Sequence, residues 1–549
     1  MGDGEADEPR QEYCCRERQR RGDANGRTRR SPRAGDEARP GGRTAASGSR
    51  RASSPDDRTE VTRPRPCVYS RPIGPHNVSI DSLSNHASVR SNAALDVSES
   101  DSPRRDGNVS DLRQRVQGRL FGAVRGRRET DEVGPRHPPR VDVPLDELEK
   151  ADRTALLRLR DQHGPIFSGT SFGEPYVCIV GLSLARRFVQ LHAESVTPFT
   201  IDITSLVPLG MVRQMEGEAH LEHRRALVRA SKSLDPIVNQ AVLDAIVGRA
   251  LDALVDDELT SDRSPLLAMA FEAATAALVA LFYGAQPSTE LFEDLVQGHR
   301  RLGPYGLAWS IKQPQFDAFA DLIAVLRAGL ERRNAGDGSI VTASVLAQLE
   351  GAGNVDDSML GNLIYMVEMG RQDLQVFFRW IIHHAAANPD VMGRIATQIA
   401  AHVGPPNESP AAKSLTEGFV LEVLRHDQTE RLVRTANVDL AFEGFVIPKG
   451  THVRLCMWES HHADEVFTDP LRFDPDRFLG PTPGNDQYAP FGIDHHQCPF
   501  GSLSIRLGAT LVRALATTHA ATTLSEGRPV RGPYHWEPSR QLKVKVVQR

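Results

Sequence analysis

The chain has few cysteines for its length and no long uninterrupted apolar run. The cysteines of its 549 residues lie at positions 14, 15, 67, 178, 456 and 498, and no two of them form a CxxC pair. This spacing excludes a zinc ribbon and a disulfide scaffold and favours a reducing compartment. The most apolar stretch, LLAMAFEAATAALVALFYGA, carries Glu272 in its middle. We therefore expect a soluble, cytoplasmic protein with no transmembrane segment, in which this stretch is a buried helix.

Lysine is absent from residues 1–140, where 28 arginines face 21 acidic residues. The net charge of this segment is +7, which leaves −12 for residues 141–549. Few apolar clusters interrupt its Arg, Ser, Gly, Pro and Asp, so too little apolar surface is present to offset the entropy of ordering. We predict a disordered, Arg-rich tail over residues 1–140 and a single folded domain over residues 141–549.

One stretch of the tail, residues 110–128, has apolar residues at four-residue spacing among arginines. Such a pattern predicts a short basic amphipathic helix, which suits an anionic membrane or partner. It also fits a solvated, fraying helix. We favour the second interpretation because no other feature of the tail supports a binding site.

The folded domain is predicted to be mainly α with a small β portion. Apolar residues keep helical spacing over residues 359–387, about seven turns, until Asn388-Pro389 ends the pattern. Short β-like stretches with a Pro-Lys-Gly turn follow over residues 436–455. Another helical pattern, SLSIRLGATLVRALATTHA, comes directly after Cys498.

Cys498 belongs to the segment FGIDHHQCPFG, residues 491–501, in a loop that leads into this helix. A helix N-terminus favours a thiolate, and Pro499 suits the start of a helix, so Cys498 is a candidate iron ligand or nucleophile. A buried, inert cysteine is the alternative. The HHxC spacing also fits zinc, but the other histidine doublets, at 383/384 and 461/462, do not complete a set of zinc ligands.

Four segments together resemble the cytochrome P450 superfamily of haem-thiolate enzymes. Glu422 and Arg425 match its Glu-x-x-Arg helix motif, and FDPDRF at residues 473–478 matches the segment that supplies a further arginine. The FGIDHHQC segment has the family spacing between an aromatic residue and the thiolate, and HLEHR resembles the family's His-x-x-x-Arg stretch. The resemblance covers residues 141–549 and leaves the tail unexplained.

The resemblance implies a haem b cofactor (iron protoporphyrin IX) with Cys498 as its axial ligand and Phe491 flanking the thiolate. An axial thiolate donates electrons to haem iron and favours O–O cleavage. By the same resemblance, a buried ion network consists of Glu422, Arg425 and Arg477. The residues implied to contact the haem propionates are His220, Arg224, Arg434 and His496, whose side chains are suitable donors to carboxylates.

The long helix departs from the family pattern where it is expected to cross the haem. The family has an acid and an alcohol there, which deliver protons to bound dioxygen. Gly370 matches, so the backbone can still approach the ligand, but Gln372 replaces the acid and Asp373 replaces the alcohol. Gln372 cannot cycle a proton, whereas Asp373 can if burial raises its pKa. These three residues are the catalytic candidates.

The cysteine loop departs from the family pattern as well. Asp494 stands at a usual glycine, where we expect it to take a left-handed conformation, which aspartate tolerates better than most residues. Phe500 stands where the glycine after the cysteine belongs, and its bulk calls for a shifted helix start.

The resemblance implies a monooxygenase that hydroxylates, epoxidises or couples a small organic molecule, with a role in secondary metabolism. Its electrons would come from a ferredoxin or flavodoxin with its reductase. We expect a monomer without a nucleic-acid partner. Two alternatives stay open: a haem-thiolate enzyme that does not activate O2 (a peroxygenase, dehydratase or isomerase), with Arg371 holding a substrate carboxylate, or a non-catalytic partner protein.

Overall fold

The computed structural model describes the chain from residue 136 onward, with eight internal gaps. The described ranges are 136–200, 203–207, 210–255, 265–303, 311–401, 414–428, 432–481, 483–532 and 535–549. The predicted disordered tail, apart from its last five residues, and the candidate amphipathic helix within it lie outside these ranges.

Helices dominate the described residues, as the sequence predicts. In chain order, the α-helices α1 to α14 are Leu145–Ala151, Ala155–His163, Leu182–His192, Gly217–Lys232, Pro236–Val255, Pro265–Leu278, Glu290–Arg301, Gln313–Asn334, Val345–Gly351, Asp357–Ala387, Pro389–Ala401, Leu415–His426, Met457–His461 and Gly501–Thr517. A π-helical turn, Val279–Tyr283, continues α6, and a 3-10 turn spans Pro475–Phe478.

Among the described residues, the β portion is small and forms four sheets. In chain order, the strands β1 to β11 are Ile166–Ser171, Glu174–Val180, Val196–Pro198, Leu432–Ala436, Leu440–Phe442, Phe445–Ile447, His452–Cys456, His519–Ser525, Val530–Arg531, Trp536–Glu537 and Lys543–Gln548. The largest sheet has the order β1-β2-β7-β4-β3, in which only the β2–β7 pair is parallel. The predicted mainly α architecture with a small β portion is confirmed.

The long helix predicted over residues 359–387 is α10. It begins at Asp357, where the Asp356 side chain accepts a hydrogen bond from the Met359 N–H at 2.8 Å, and it ends before Asn388-Pro389. Its 31 residues rise about 46 Å at 1.5 Å each. Most of its residues are buried, because α6 and α14 pack along it. This helix forms the centre of the main core.

The most apolar stretch of the sequence forms α6 and the π-helical turn. By length and hydropathy, Pro265–Tyr283 is long and apolar enough to cross a membrane, but 72% of its most apolar window is buried inside the protein. Glu272 points outward, where it pairs with Arg300 on α7. The segment is a core helix, as expected from the charge in its middle.

The Glu422 carboxylate is the centre of a buried ion network. Arg425, one turn later on α12, donates from Nε and Nη2 to the two carboxylate oxygens at 2.7 and 2.8 Å, and both side chains are fully buried. Arg477 reaches the same carboxylate at 3.4 Å, and the Asp474 N–H donates to it at 2.8 Å. The structure thus brings together the three residues that the family resemblance groups.

We expect the Glu422→Ala and Arg425→Ala substitutions each to lower the free energy of unfolding by about 3–5 kcal/mol, because each leaves an unpaired buried charge. Urea unfolding and haem content of the purified proteins measure the effect. The matched control is Arg394→Ala, which breaks an exposed pair with Asp476 and should cost at most about 1 kcal/mol. Wild-type stability and haem content in either buried-site variant would contradict the account.

The last residues of the predicted tail contact the folded domain. The Val446 N–H donates to the Arg136 carbonyl and the Ser168 N–H to the Pro139 carbonyl, both at 2.8 Å. A chain that begins at Arg136 should therefore melt like the full chain. One that begins at Val141 should melt about 1–3 °C lower, since it loses these backbone hydrogen bonds. Calorimetry of the three lengths measures this, and a much higher melting temperature for the full chain would show that residues 1–135 stabilise the domain.

Candidate functional site

One cavity brings together most of the site residues predicted from the sequence. Its walls come from α10, from α6 with its π-helical turn, from the start of α4, and from the segment between Phe491 and α14. The predicted residues that line it are His220, Arg224, Gly370, Asp373, Arg434, Phe491, His496 and Cys498. Residues more than 270 positions apart in sequence therefore share one site.

Cys498 lies in a tight loop at the floor of the cavity. Its N–H donates to the Phe491 carbonyl at 2.9 Å, which closes the loop, and Gly492 takes the left-handed conformation that this turn needs (φ +99°). Cys498 is exposed, whereas the other two described cysteines, Cys178 and Cys456, are buried. Only Cys498 of these three is accessible to a ligand in the cavity.

The helix after Cys498 does not begin at Pro499, and its start is shifted, as the bulk of Phe500 calls for. It starts at Gly501, and Phe500 occupies the N-cap position. The Phe500 ring packs against Phe282 of the π-helical turn, with ring centroids 4.6 Å apart. A Cβ on Gly501 would lie 2.8 Å from the Phe491 ring. Relative to the family pattern, Phe500 thus stands at the position of the glycine, and the glycine follows one residue later, at the first residue of the helix.

The expectation that Asp494 takes a left-handed conformation is wrong. In the described part of this loop, Gly492 is the residue with positive φ, and Asp494 instead pairs with the buried Arg434. The Asp494 carboxylate also accepts a hydrogen bond from the His496 N–H at 2.8 Å. Burial alone would raise the pKa of Asp494, but the Arg434 guanidinium outweighs it and lowers the pKa below its usual value. Arg434 therefore contributes to this wall as part of an ion pair.

Histidine and arginine side chains form one wall of the cavity. His220 Nε2 and His496 Nδ1 are buried and have no hydrogen-bond partner among the described residues. Burial lowers the pKa of both imidazoles, that of His496 to about 3, so both rings are neutral at pH 7. Arg224 donates to the Gln497 carbonyl at 2.7 Å, which ties α4 to the cysteine loop. A neutral imidazole carries one N–H donor, and a guanidinium carries several.

The residues that line the cavity are chemically suited to bind haem. An exposed cysteine on the floor can supply the axial thiolate, and apolar side chains such as Leu278, Phe282 and Leu507 line the walls where the macrocycle would lie. The two imidazole nitrogens without partners, together with Arg224, are donors of the kind that carboxylates need. The site therefore holds each chemical group that the cofactor requires.

The catalytic candidates on α10 are divided between two faces. Gly370 and Asp373 line the cavity, whereas Gln372 is not among the described residues on its wall. A Cβ on Gly370 would lie 3.1 Å from Leu278 Cδ1, so the helices approach closely here. The Asp373 side chain is 51% exposed, and its Oδ1 lies 2.8 Å from Nε2 of the buried His535. Asp373 thus faces the cavity in a carboxylate–imidazole pair and not in a desolvated apolar site.

The prediction that Arg371 holds a substrate carboxylate is wrong. Arg371 is 3% exposed and donates to Glu368 at 2.9 Å and to the Gly303 carbonyl. Glu368 in turn lies 2.5 Å from Nδ1 of His299, whose Nε2 contacts the Tyr283 hydroxyl. Successive residues on a helix point about 100° apart, so Arg371 and Gly370 face different neighbours.

Sequence reasoning missed His535, although it contacts the proposed proton donor. It lies 162 positions after Asp373 and carries no motif, so only the packing of the C-terminal strands against α10 reveals it. The sequence does not reveal the Asp494–Arg434 pair either, because these residues lie 60 positions apart and only the fold brings them together.

Comparisons with known proteins agree with this site. The Cytochrome P450 family model matches residues 376–503, which include the ion network and Cys498. Abscisic acid 8'-hydroxylase 2 of Oryza sativa subsp. indica is 25% identical over 384 residues, which cover 65% of this chain and 74% of that protein. Cytochrome P450 78A7 of Arabidopsis thaliana is 29% identical over 203 residues, which cover 34% of this chain and 36% of that protein.

A solved structure shows the same fold. The structure of retinoic acid-bound cyanobacterial CYP120A1 aligns with a TM-score of 0.58 at 21% identity and covers 76% of this chain and all of that one. Family motifs, related sequences and this fold therefore agree with the cavity and its cysteine. The chain is thus similar to the cytochrome P450 superfamily of haem-thiolate enzymes, in the sequence of residues 376–503 and in its fold.

Proposed function

We propose that this protein uses O2 to oxidise a small, mostly apolar organic molecule, either by inserting one oxygen atom (hydroxylation or epoxidation) or by oxidative coupling without oxygen insertion. The observation that carries the proposal is that the exposed Cys498 lines the same cavity as Gly370 and Asp373. Haem, when bound to a thiolate, supplies the O–O cleavage and the oxidising equivalent.

The protein residues supply position, exclusion of water and protons. Phe491 and Gly501 pack together beside Cys498, and the Cys498 N–H is engaged by the Phe491 carbonyl, so the loop holds the sulfur at one place. His220, Arg224 and His496 provide the donors for the cofactor carboxylates. The close approach of Gly370 to Leu278 leaves the α10 backbone at the cavity wall.

Asp373 and His535 are the proposed proton-handling pair. The family acid and alcohol are absent, and the carboxylate nearest their place is that of Asp373, 2.8 Å from His535 Nε2. A carboxylate beside an imidazole can accept a proton from the ring and return it, which is the task of a general acid–base pair. The Gln428 side chain donates to the Asp373 carbonyl at 3.0 Å and holds this turn of α10 in place.

The substrate side of the cavity favours an apolar molecule with one polar group. Leu278, Met366 and Met369 are among its apolar members, and Arg213 and Tyr365 are polar. The loop that carries Arg213 is held by Asn362, which accepts from the Val212 N–H at 2.7 Å. Pockets of this composition bind small organic ligands, with a few polar groups that orient them. A relative named for abscisic acid, a small organic acid, supports this substrate class.

We propose a ferredoxin or flavodoxin with its reductase as the electron donor, a cytoplasmic location and a role in secondary metabolism. Support for an acidic donor comes from α4, which Arg224 ties to the cysteine loop. Residues 223–232 of this helix include four cations and no acid. Opposite charges on two surfaces speed their encounter, and the donor would approach beside Cys498.

The first test of the proposal concerns the thiolate. The Cys498→Ala protein should fold, because the cysteine lies exposed in a loop, but the spectrum of any bound haem should lose its thiolate signature. Absorption spectra of the reduced, carbon-monoxide-bound protein measure this. The matched control is Cys456→Ala, since Cys456 is buried away from the cavity, and it should keep the wild-type spectrum. A thiolate spectrum in the Cys498→Ala protein would remove Cys498 from the proposal.

A second test concerns the proton pair. Asp373→Asn should slow O2-driven turnover by roughly 10²–10⁴, the usual scale for a lost general acid, and His535→Gln should slow it in the same direction. Peroxide-driven turnover supplies both oxygen atoms and their protons, so it should change much less. Product formation by both routes, with carbon-monoxide spectra as the control for haem binding, measures the difference.

Equal O2-driven rates in wild type and the Asp373→Asn protein would exclude the pair from the mechanism. A wild-type protein that turns over with peroxide and never with O2 and reductant would instead support the alternative of a haem-thiolate enzyme that does not activate O2.

A further inference from the structure

A cluster of one carboxylate and two imidazoles lies at the surface beside the cysteine loop. Glu216 immediately precedes α4, and His495 and His496 belong to the loop. The Glu216 oxygens lie 3.5 Å from His495 Nε2 and 3.4 Å from His496 Nε2, and the three ligand atoms all lie within 4.8 Å of one another. The family resemblance gives no role to Glu216 or His495.

These separations suit ligands of one metal ion better than partners in hydrogen bonds. Hydrogen bonds between nitrogen and oxygen are usually 2.7–3.2 Å long. Two ligands at 2.0–2.1 Å from a tetrahedral zinc ion are about 3.3–3.4 Å apart, close to the distances found here. The donor types, two imidazole nitrogens and a carboxylate oxygen, are those of known zinc sites.

The second nitrogen of His496 supports the same interpretation. The His496 side chain is 5% exposed, and its Nδ1 is buried without a hydrogen-bond partner in the described parts of the chain. A histidine that binds a metal through one nitrogen almost always donates the other N–H to a carboxylate, a carbonyl or water. His496 has Nε2 toward Glu216 and Nδ1 inside the cavity, where the cofactor carboxylates are expected.

We propose that Glu216, His495 and His496 bind one divalent transition-metal ion, of which zinc fits best, with water in the fourth position. Glu216 and His495 are 53% and 41% exposed, so an ion can reach the site from solvent. The ion links the start of α4, which carries His220 and Arg224, to the loop that carries Cys498. It cross-links these two segments beside the cofactor site, at a place separate from the substrate.

In a second cluster of possible ligands, the carboxylate already has partners within the protein. His384, His426 and Asp427 are also close together, but Asp427 accepts hydrogen bonds from Arg153 at 2.6 Å and from His384 at 2.6 Å. A guanidinium on the same carboxylate opposes a further cation. The Asp427 carboxylate is thus neutralised by groups within the protein. Glu216, in contrast, pairs with no lysine or arginine among the described residues.

The test uses the full-length, haem-loaded protein, in which Cys498 is occupied, after chelator treatment. Zinc chloride is titrated by calorimetry into wild type, Glu216→Gln, His495→Asn and a control, His137→Asn, which alters an exposed histidine outside the cluster. We expect one zinc ion per wild-type chain and per control chain. Each cluster variant should bind at least about 10–100-fold more weakly, since that is the usual loss when a ligand's hydrogen-bond partner is removed and here a ligand itself is lost.

The melting temperature and the haem spectrum provide a second readout. Zinc should raise the melting temperature of wild type and of the control, because a ligand that binds only the native state stabilises it, and it should leave both cluster variants unchanged. All four proteins should show the same haem spectrum, so a failure of the metal site is distinct from a failure of the proposed function. Equal zinc affinity in wild type and both cluster variants, or no binding by wild type, would overturn the proposal.

Discussion

The rest of the structure depends on the buried carboxylate of Glu422. A charge that is fully removed from water must be matched by donors, and here Arg425 supplies two of them and the Asp474 N–H a third. Arg425 also donates to the His461 carbonyl at 3.0 Å. The pair therefore joins α12 to the segments that run toward the cysteine loop. A glycine at 418 permits this approach, because a Cβ there would lie 2.8 Å from the Pro475 carbonyl oxygen.

The position of Cys498 follows from these contacts. Just before the cysteine loop, the Tyr488 hydroxyl donates to the Leu421 carbonyl of α12 at 2.8 Å, and the Ala489 N–H donates to His461 Nε2 at 3.0 Å. Burial lowers the pKa of His461 to about 3, so this ring remains a neutral acceptor. Residues of α10 belong to the main core together with residues of α12. Cys498 and the turn around Gly370 line the same cavity, and α10 packs against α12, the helix that carries Glu422 and Arg425.

Local patterns of the sequence predicted the helices and the pairs of residues that lie close together along the chain. The helical period identified α10, and the three-residue spacing of Glu422 and Arg425 placed both on one face of α12. Contacts between distant segments could not be predicted in this way. The partner of Asp373 comes from the C-terminal strands, and the direction of Arg371 depends on which face of α10 meets α7. The sequence therefore indicated the cofactor and its ligand, whereas the proton pair and the metal cluster required the fold.

The most direct test of the account is the absorption spectrum of the reduced, carbon-monoxide-bound wild-type protein. When a cysteine thiolate is bound to haem iron, the main absorption band of the carbon-monoxide complex lies at a much longer wavelength than when a histidine is bound. The account predicts this thiolate-type band, with one haem per chain, because Cys498 is exposed and lines the cavity, whereas the other two described cysteines are buried. A spectrum typical of a histidine ligand, or a purified protein that binds no haem, would contradict it.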